Sequence, residues 1–358
     1  MLEAMDQFAD GQSGVVVRRG MDLSTMKGAQ VERVSDCEAL VPLDELASSW
    51  PCLAGSRVLR MERSENTTWL VVGPGGKFAV RRYRDGYQDV ASIRAELRFM
   101  RLAKEALPVQ VPGVILTRFG DELLSLFDRL YVVFTYVQGQ MATQGQVIEL
   151  ASQIGELAAL VHLCADDSDR TLQARWSWDA SVLTGPAPRW GPWQPAFSRD
   201  PRGYEVVAAA HGEIGARLDS APRGGSVFGL LHADLRAANL FVQDDRLTGI
   251  IDFDDCGYGW YAYEAVASLS FYEASPEALG LLRGWLVGYG RIRALGSQAL
   301  ALVPRLLMYR RLLLTGWLLE HPHVRVPEID RSRFGADTVR LATRYLVDPQ
   351  DIERLLGE

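Results

Sequence analysis

A two-lobed α+β fold, with a sheet-rich first lobe and a mainly helical second, is predicted by two changes of pattern along the chain and by one polar motif. Residues 57–140 hold short β-rich runs broken by turn chemistry, with a single helical stretch among them. Beyond residue 144 the apolar spacing becomes helical and stays largely so. Inside that second half, residues 228–255 carry two apolar strand-like runs and the polar set His232, Asp234, Asn239 and Asp252. A length of 358 residues suits about two domains. The expected division is residues 1–50 as a partly ordered leader, 51–140 as a first lobe and 141–358 as a second.

The leader has weak periodicity and an early Gly, Ser and Asp content. From Arg57 the runs RVLRMER, TTWLVV and KFAVRRY read as an antiparallel meander, the last two joined through the GPGG turn at Gly73 to Gly76. Ile93, Leu97, Met100 and Lys104 then fall at helical spacing, and the helix should stop before Pro108. VPGVILTRF and RLYVVFTYV follow as strands around a polar turn near Gly120 to Glu122. Val147, Leu150, Ile154, Leu157 and Val161 open the helical half. Residues 165–225 form an insertion rich in Trp, Pro and Gly, with a helix expected around Tyr204 to Leu218; loops of this length commonly carry binding functions. A further helix should begin near Leu279 after Ser275-Pro276-Glu277.

Composition excludes several classes of function. Hydrophobic residues at 48% and charged residues at 23% are ordinary for a globular chain. A net charge of −7 with no Lys/Arg block argues against nucleic acid as a partner, because counterion release needs a basic stripe. Cys37, Cys52, Cys164 and Cys256 form no C-x-x-C pair, which fits a reducing cytoplasm better than a disulfide framework. The acidic start MLEAMDQFADGQSG lacks an apolar core and no run approaches about 18 apolar residues, so neither export nor a membrane partner is expected. No feature sets an oligomeric state.

The chemistry is concentrated in FGLLHADLRAANLFVQDDRLTGIIDFDD. Phosphoryl transfer needs a carboxylate to orient and deprotonate an attacking hydroxyl, and oxygen ligands that hold Mg²⁺ against a triphosphate. Asp234 suits the first need, Asn239 and Asp252 the second. An Asp and an Asn five positions apart on a tight loop can face one mouth, and a strand pair LFVQ…LTGIID returns Asp252 to it. Taken singly these are ordinary turn residues; H-x-D-x-x-x-x-N followed at hairpin distance by an apolar-apolar-Asp is specific.

HADLRAANLF followed by IIDFDD resembles the catalytic and metal loops of the aminoglycoside phosphotransferase and choline kinase superfamily, within the protein-kinase-like fold. The resemblance spans most of residues 57–300 and is strongest in the second lobe. It implies Asp234 as catalytic base, Asn239 and Asp252 as Mg²⁺ ligands, and His232 as a brace of the loop. FAVR at Phe78 to Arg81 resembles the kinase strand that presents a cation to the nucleotide, placing Ala79 over adenine and Arg81 on the phosphates, with Glu96 as the partner of Arg81. Arg in place of the usual Lys is a departure, since a planar fork replaces a compact ammonium. Ser64 and Asn66 belong to the loop over the phosphates, which lacks the G-x-G-x-x-G of protein kinases. Phe134, Tyr136 and Val137 fall at the hinge that reads adenine, and Arg236 stands where protein kinases keep a phosphate-contacting Lys.

The resemblance implies ATP, Mg²⁺ and a small-molecule hydroxyl acceptor. GWYAYEAVASLSFYE reads most like the bacterial homoserine kinase-like and stress-response kinase-like branch. Asp254, Asp255 and Glu264 are candidates for holding an acceptor amine; the competing reading has Asp255 capping a helix and Glu264 bonding the catalytic loop. Trp176, Trp178, Trp190, Trp193 and Trp260 could form an aromatic cage, but are better read as packing anchors. A protein Ser/Thr kinase is the runner-up, disfavoured by the absence of an A-P-E-like segment after the metal loop, and a non-catalytic nucleotide-binding protein is the third reading.

Overall fold

The computed structural model describes residues 41–63, 66–165, 169–324, 326 and 329–356. They fall into two compact units: residues up to Tyr87 with Val114–Tyr136, and Gln88–Gly113 with Val137–Glu358. The first is rich in sheet and the second mainly helical, a kinase-like fold.

In the first unit, strands β1 (Arg57–Arg63), β2 (Thr67–Gly73), β3 (Gly76–Arg82), β4 (Val114–Ile115), β5 (Leu124–Leu126) and β6 (Arg129–Thr135) form one antiparallel sheet. Its order is β1-β2-β3-β6-β4, with β5 also on β6. Side chains alternate along a strand, so Trp69 and Val71, Phe78 and Val80, and Tyr131 and Val133 share one face and make the core. Of VPGVILTRF only Val114 and Ile115 pair with β6; Pro112, just before, has no N–H to give a ladder. The β5–β6 hairpin closes through Phe127 and Asp128, both in the left-handed region that two-residue hairpin turns require.

Residues 1–40 of the expected leader lie outside the described residues, whereas residues 41–50 belong to this core. Leu43–Ala47 is helical, Leu46 and Trp50 are fully buried against the sheet, and Trp50 Nε1 donates to the Ile115 carbonyl at 2.7 Å. A five-residue helix is too short to show a period, which is why the sequence pattern missed it.

The helix Val90–Ala106 starts on Asp89, whose side chain accepts the Ser92 N–H at 2.7 Å, and buries Ile93, Leu97 and Met100 as its spacing requires. It belongs to the second unit: Phe99 meets Phe253 edge-on at 5.7 Å and Arg98 pairs with Asp169 at 2.8 Å. The helical half then opens with Gln144–Glu149 and Ala151–Leu163, separated by a break at Leu150. Ala151–Leu163 lies against Ala278–Ile292, and their backbones approach where each carries a glycine. A Cβ on Gly155 would collide with the Trp285 carbonyl oxygen, and one on Gly288 with that of Ser152. Gly288→Leu is therefore expected to destabilise the protein by about 3 kcal/mol or more, since packed backbones cannot yield as side chains do; a denaturant melt with an unchanged midpoint would contradict this.

Residues 169–200 hold the short helical pieces Leu172–Ala174, Ala180–Thr184 and Gln194–Phe197 and are followed by the helix Pro201–Asp219, with Asp200 as its cap. The tryptophans pack: Trp178, Trp190, Trp193 and Trp260 are buried, Trp178 meets Trp190 edge-on at 5.2 Å and stacks with Tyr263 at 5.7 Å. Val303–Glu320 runs through the middle of the unit, buried from Val303 to Leu318. Among the described residues no helix is long and apolar enough to cross a membrane.

Candidate active site

Three small ladders build the site. Strand β8 (Phe228–Leu231) pairs antiparallel with β11 (Gly257–Trp260), so Leu231 faces Gly257 and the segments after one and before the other open at the same end. Strands β9 (Leu240–Gln243) and β10 (Arg246–Ile250) form a hairpin, turned through left-handed Asp244 and Asp245, while β7 (Gln140–Met141) flanks β9. Leu240 thus faces Ile250, and the Ile251 N–H donates to the Asn239 carbonyl at 3.0 Å. The Asp234–Asn239 loop and the segment that leads to Asp252 are in this way laid side by side.

The Asp234 carboxylate is buried and held at both oxygens. Oδ1 accepts from Arg310 Nη2 at 2.6 Å; Oδ2 accepts from Asn239 Nδ2 at 2.7 Å and from Arg236 Nε at 3.1 Å. Burial pushes the carboxyl up, but the guanidiniums of Arg236 and Arg310 outweigh it and hold Asp234 below the ordinary carboxylate range. It is therefore an anion at neutral pH. Asn239 spends its amide N–H₂ on Asp234, donating to the backbone carbonyl at 2.9 Å as well as to Oδ2. Its carbonyl oxygen is left as a hard oxygen donor, and Asp252, one residue past the Ile251 that pairs with the Asn239 backbone, sits half-buried in the left-handed region at φ 69°. One amide and one carboxylate oxygen are hard donors of the kind that would hold a divalent cation such as Mg²⁺. Among the described residues no group of three His, Cys, Asp or Glu side chains forms a closed metal cage.

The loop is braced from below. His232 Nδ1 accepts the Asp234 N–H at 3.3 Å, and its Nε2 lies 3.1 Å from the Ile251 carbonyl, a pairing that fits the Nε2–H tautomer. His232 thereby ties the Asp234 loop to the strand leading to Asp252. Glu264, 0% exposed, accepts the N–H groups of His232 (2.9 Å) and Ala233 (3.1 Å) through Oε2, and His162 Nε2 stands 3.4 Å away. Tyr289 Oη lies 2.9 Å from His162 Nδ1, and burial lowers the proton affinity of the imidazole, so His162 is neutral and donates to Glu264. Of the two readings of Glu264, the geometry is that of a loop brace: a side chain sealed from solvent and committed to two backbone amides holds no acceptor amine.

Asp254 and Asp255, just past Asp252, are buried, each backbone carbonyl being used. Trp178 Nε1 donates to Asp255 at 2.8 Å, and the Asp254 carbonyl accepts from Gln88 at 3.2 Å and from Arg175 Nη2. Arg175, which no motif signalled, also donates to the Cys256 carbonyl at 2.6 Å and to Ser92 Oγ at 3.0 Å, stapling that segment to the start of Val90–Ala106. Arg310 was missed likewise.

In the first unit, Ala79 and Arg81 lie on the sheet face opposite the core. Ala79 is in register with Phe134 and Arg81 with Val132, and the Arg81 guanidinium is 5.6 Å from the Phe134 ring. The i, i+2 expectation for these two residues therefore matches their placement. Lys77 Nζ lies 5.6 Å from the Tyr136 ring. Asn66 is buried, its Oδ1 accepting the Arg84 N–H at 3.0 Å, and so ties the start of β2 to the chain just past the end of β3. Ser64 lies outside the described residues. Glu96 and Val137 are buried members of the second unit.

A sheet-rich unit and a mainly helical unit that carries the Asp234 loop and the return segment to Asp252 define a kinase-like fold. A family profile described as "Phosphotransferase enzyme family" matches residues 60–295. The chain belongs to that family and is a phosphotransferase with an alcohol group as acceptor. It is similar to the homoserine kinase of Rhodospirillum rubrum, 28% identical over 254 residues, which cover 68% of this chain and 74% of the relative. The solved structure of the microcompartment-associated aminopropanol kinase is 30% identical, with a TM-score of 0.74 over 83% of this chain and 94% of that one. The amicoumacin kinase hAmiN, solved in complex with AMP-PNP, Ca²⁺ and Ami, shares the fold at 19% identity and a TM-score of 0.66, over 88% of this chain and 96% of that one.

Proposed function

We propose that this kinase moves the γ-phosphoryl group of ATP, with Mg²⁺, onto the hydroxyl of a small amino alcohol. The observation that carries the reading is an ionised Asp234, bonded to Asn239, on a loop that lies beside the segment leading to Asp252. Oδ1 of Asp234 takes a single donor from the protein, so its second lone pair is available to the acceptor O–H. Asp234 orients that hydroxyl for in-line attack and receives its proton, which contributes less than positioning does in a loose transition state. Asn239 and Asp252 hold Mg²⁺, which neutralises charge on the triphosphate when bound. Arg236, beside Asp234, meets the γ-phosphate.

In the first unit, Ala79, Phe134 and Tyr136 receive adenine, and Arg81 holds the α- and β-phosphates, with Asn66 fixing the start of β2. The amino-alcohol class rests on the 30% identity to an aminopropanol kinase and on the homoserine kinases, whose named substrates share a hydroxyl and an amine. Asp254 and Asp255 are the acids next to the metal loop for such an amine.

A coupled nucleotide-turnover assay tests this with Mg-ATP and a panel holding 1-amino-2-propanol, homoserine, choline, aminoglycosides and sugars. Turnover is expected with an amino alcohol, to vanish on chelation with EDTA and to return with excess Mg²⁺. Turnover indifferent to acceptor or to chelator, or phosphate delivered to added proteins and to none of the small molecules, would overturn it.

A further inference from the structure

Arg310 belongs to no motif, yet it reaches the centre of the site. It sits in the helix Val303–Glu320, 1% exposed, and donates four hydrogen bonds to three separate segments. Nη2 meets Asp234 Oδ1 at 2.6 Å, Nη1 meets the Ala233 carbonyl at 3.2 Å and Tyr263 Oη at 3.1 Å, and Nε meets Ser270 Oγ at 3.0 Å. The Trp190 ring covers the guanidinium at 4.6 Å. A guanidinium has five N–H groups, so one Nη2 hydrogen remains, too few for a bidentate grip on a phosphate or a substrate carboxylate. The fork is committed to the protein.

An aspartate carboxylate turns easily about its last torsion. Arg236 and Asn239 both pull on Oδ2, which leaves rotation about that oxygen open, and Arg310 is the third point that fixes the plane. The same fork holds the carbonyl of Ala233, whose φ of 66° sets the direction in which Asp234 leaves the backbone. We propose that Arg310 is a positioning residue of the transfer reaction, holding Asp234 so that the second lone pair of Oδ1 faces the acceptor hydroxyl. The proposal rests on the reading of Asp234 as base.

The test is steady-state kinetics with Mg-ATP and the best acceptor of the panel for the full-length wild type, Arg310→Gln, Arg310→Lys, Asp234→Asn and the Asp234→Asn/Arg310→Gln double variant. Arg310→Gln is expected to lower kcat by about 10²-fold with KM for ATP nearly unchanged, and Arg310→Lys to recover about tenfold of it. In the Asp234→Asn background Arg310→Gln should cost no more than about threefold, because the two groups act as one unit. The proposal is overturned if the two losses multiply in full, as for a merely structural arginine, or if KM for ATP rises while kcat holds. Tyr263→Phe and Ser270→Ala each remove one partner of the fork without emptying its site, and serve if Arg310→Gln fails to fold. Each should lower kcat a few-fold, and wild-type kcat in both would overturn the proposal. Asp234→Asn at the wild-type rate would instead sink the reading of the base, a separate and recognisable result.

Discussion

Asp234→Asn is expected to lose about 10²–10⁴-fold in kcat while still binding Mg-ATP. Asparagine keeps a carbonyl oxygen for Arg310 Nη2 but sets an N–H₂ against Arg236 Nε and Asn239 Nδ2, which are themselves donors. It cannot take a proton from the acceptor. It also leaves two guanidiniums facing a neutral group, at a cost of about 3 kcal/mol, the low end for stripping one partner from a buried ion pair. A melting temperature lower by roughly 6–12 °C is the accompanying sign. Rates measured well below that temperature separate the chemical loss from the thermal one, and an unchanged kcat there would remove Asp234 from the mechanism.

Glu264→Ala should be nearly as damaging although Glu264 touches no reacting atom. It strands the N–H groups of His232 and Ala233 in a buried site, at about 1–3 kcal/mol for each unpaired donor. With the backbone on the N-terminal side of Asp234 released, kcat should fall by about 10²-fold. Burial raises the Glu264 carboxyl, but His162 and the loop amide of Ala233 outweigh it, so the folded protein holds it below the ordinary 4.5. The stabilisation is therefore complete above pH 4.5 and is lost as the pH falls through the lower folded value. Glu264→Gln lacks this dependence. Urea melts from pH 7 to pH 3 should show a shallower acid-side fall for Glu264→Gln than for the wild type; parallel profiles would rule the contribution out.

The pairing of the two loops that carry the candidate residues was legible because its logic is local. HADLRAAN and IIDFDD lie within one stretch, and the apolar runs LFVQ and LTGII that join them are the hairpin that brings them together. Arg310 and Arg175 were not legible, since each acts on residues some 75 to 85 positions away and spacing says nothing at that range. A signal did exist for Arg310: LLMYRRLLL sets two adjacent arginines inside an apolar helix, and arginines are rarely fully buried unless paired. Arg311 takes its own buried partner, Glu273, at 2.9 Å. Glu264 was readable only as one of two roles, because an acid near a site looks the same in sequence whether it faces a ligand or a backbone amide. The allegiance of Val90–Ala106 was likewise hidden, since a helix that follows three strands does not declare which neighbours cover its apolar face.

The turn at Trp190 and Gly191 fits onto the central helix at Gly316, where any Cβ would strike the Gly191 carbonyl, and sets the Trp190 ring over Arg310. Long insertions are ordinarily the most freely diversified part of a chain. Here positions 190, 191, 310 and 316 form one lock whose bolt ends at Asp234, so the loop is not an interchangeable cassette. Lineages that remodel it must change helix and loop together, and a chimaera that imports a relative's insertion without the matching helix residues inherits a misaligned carboxylate along with its new loop.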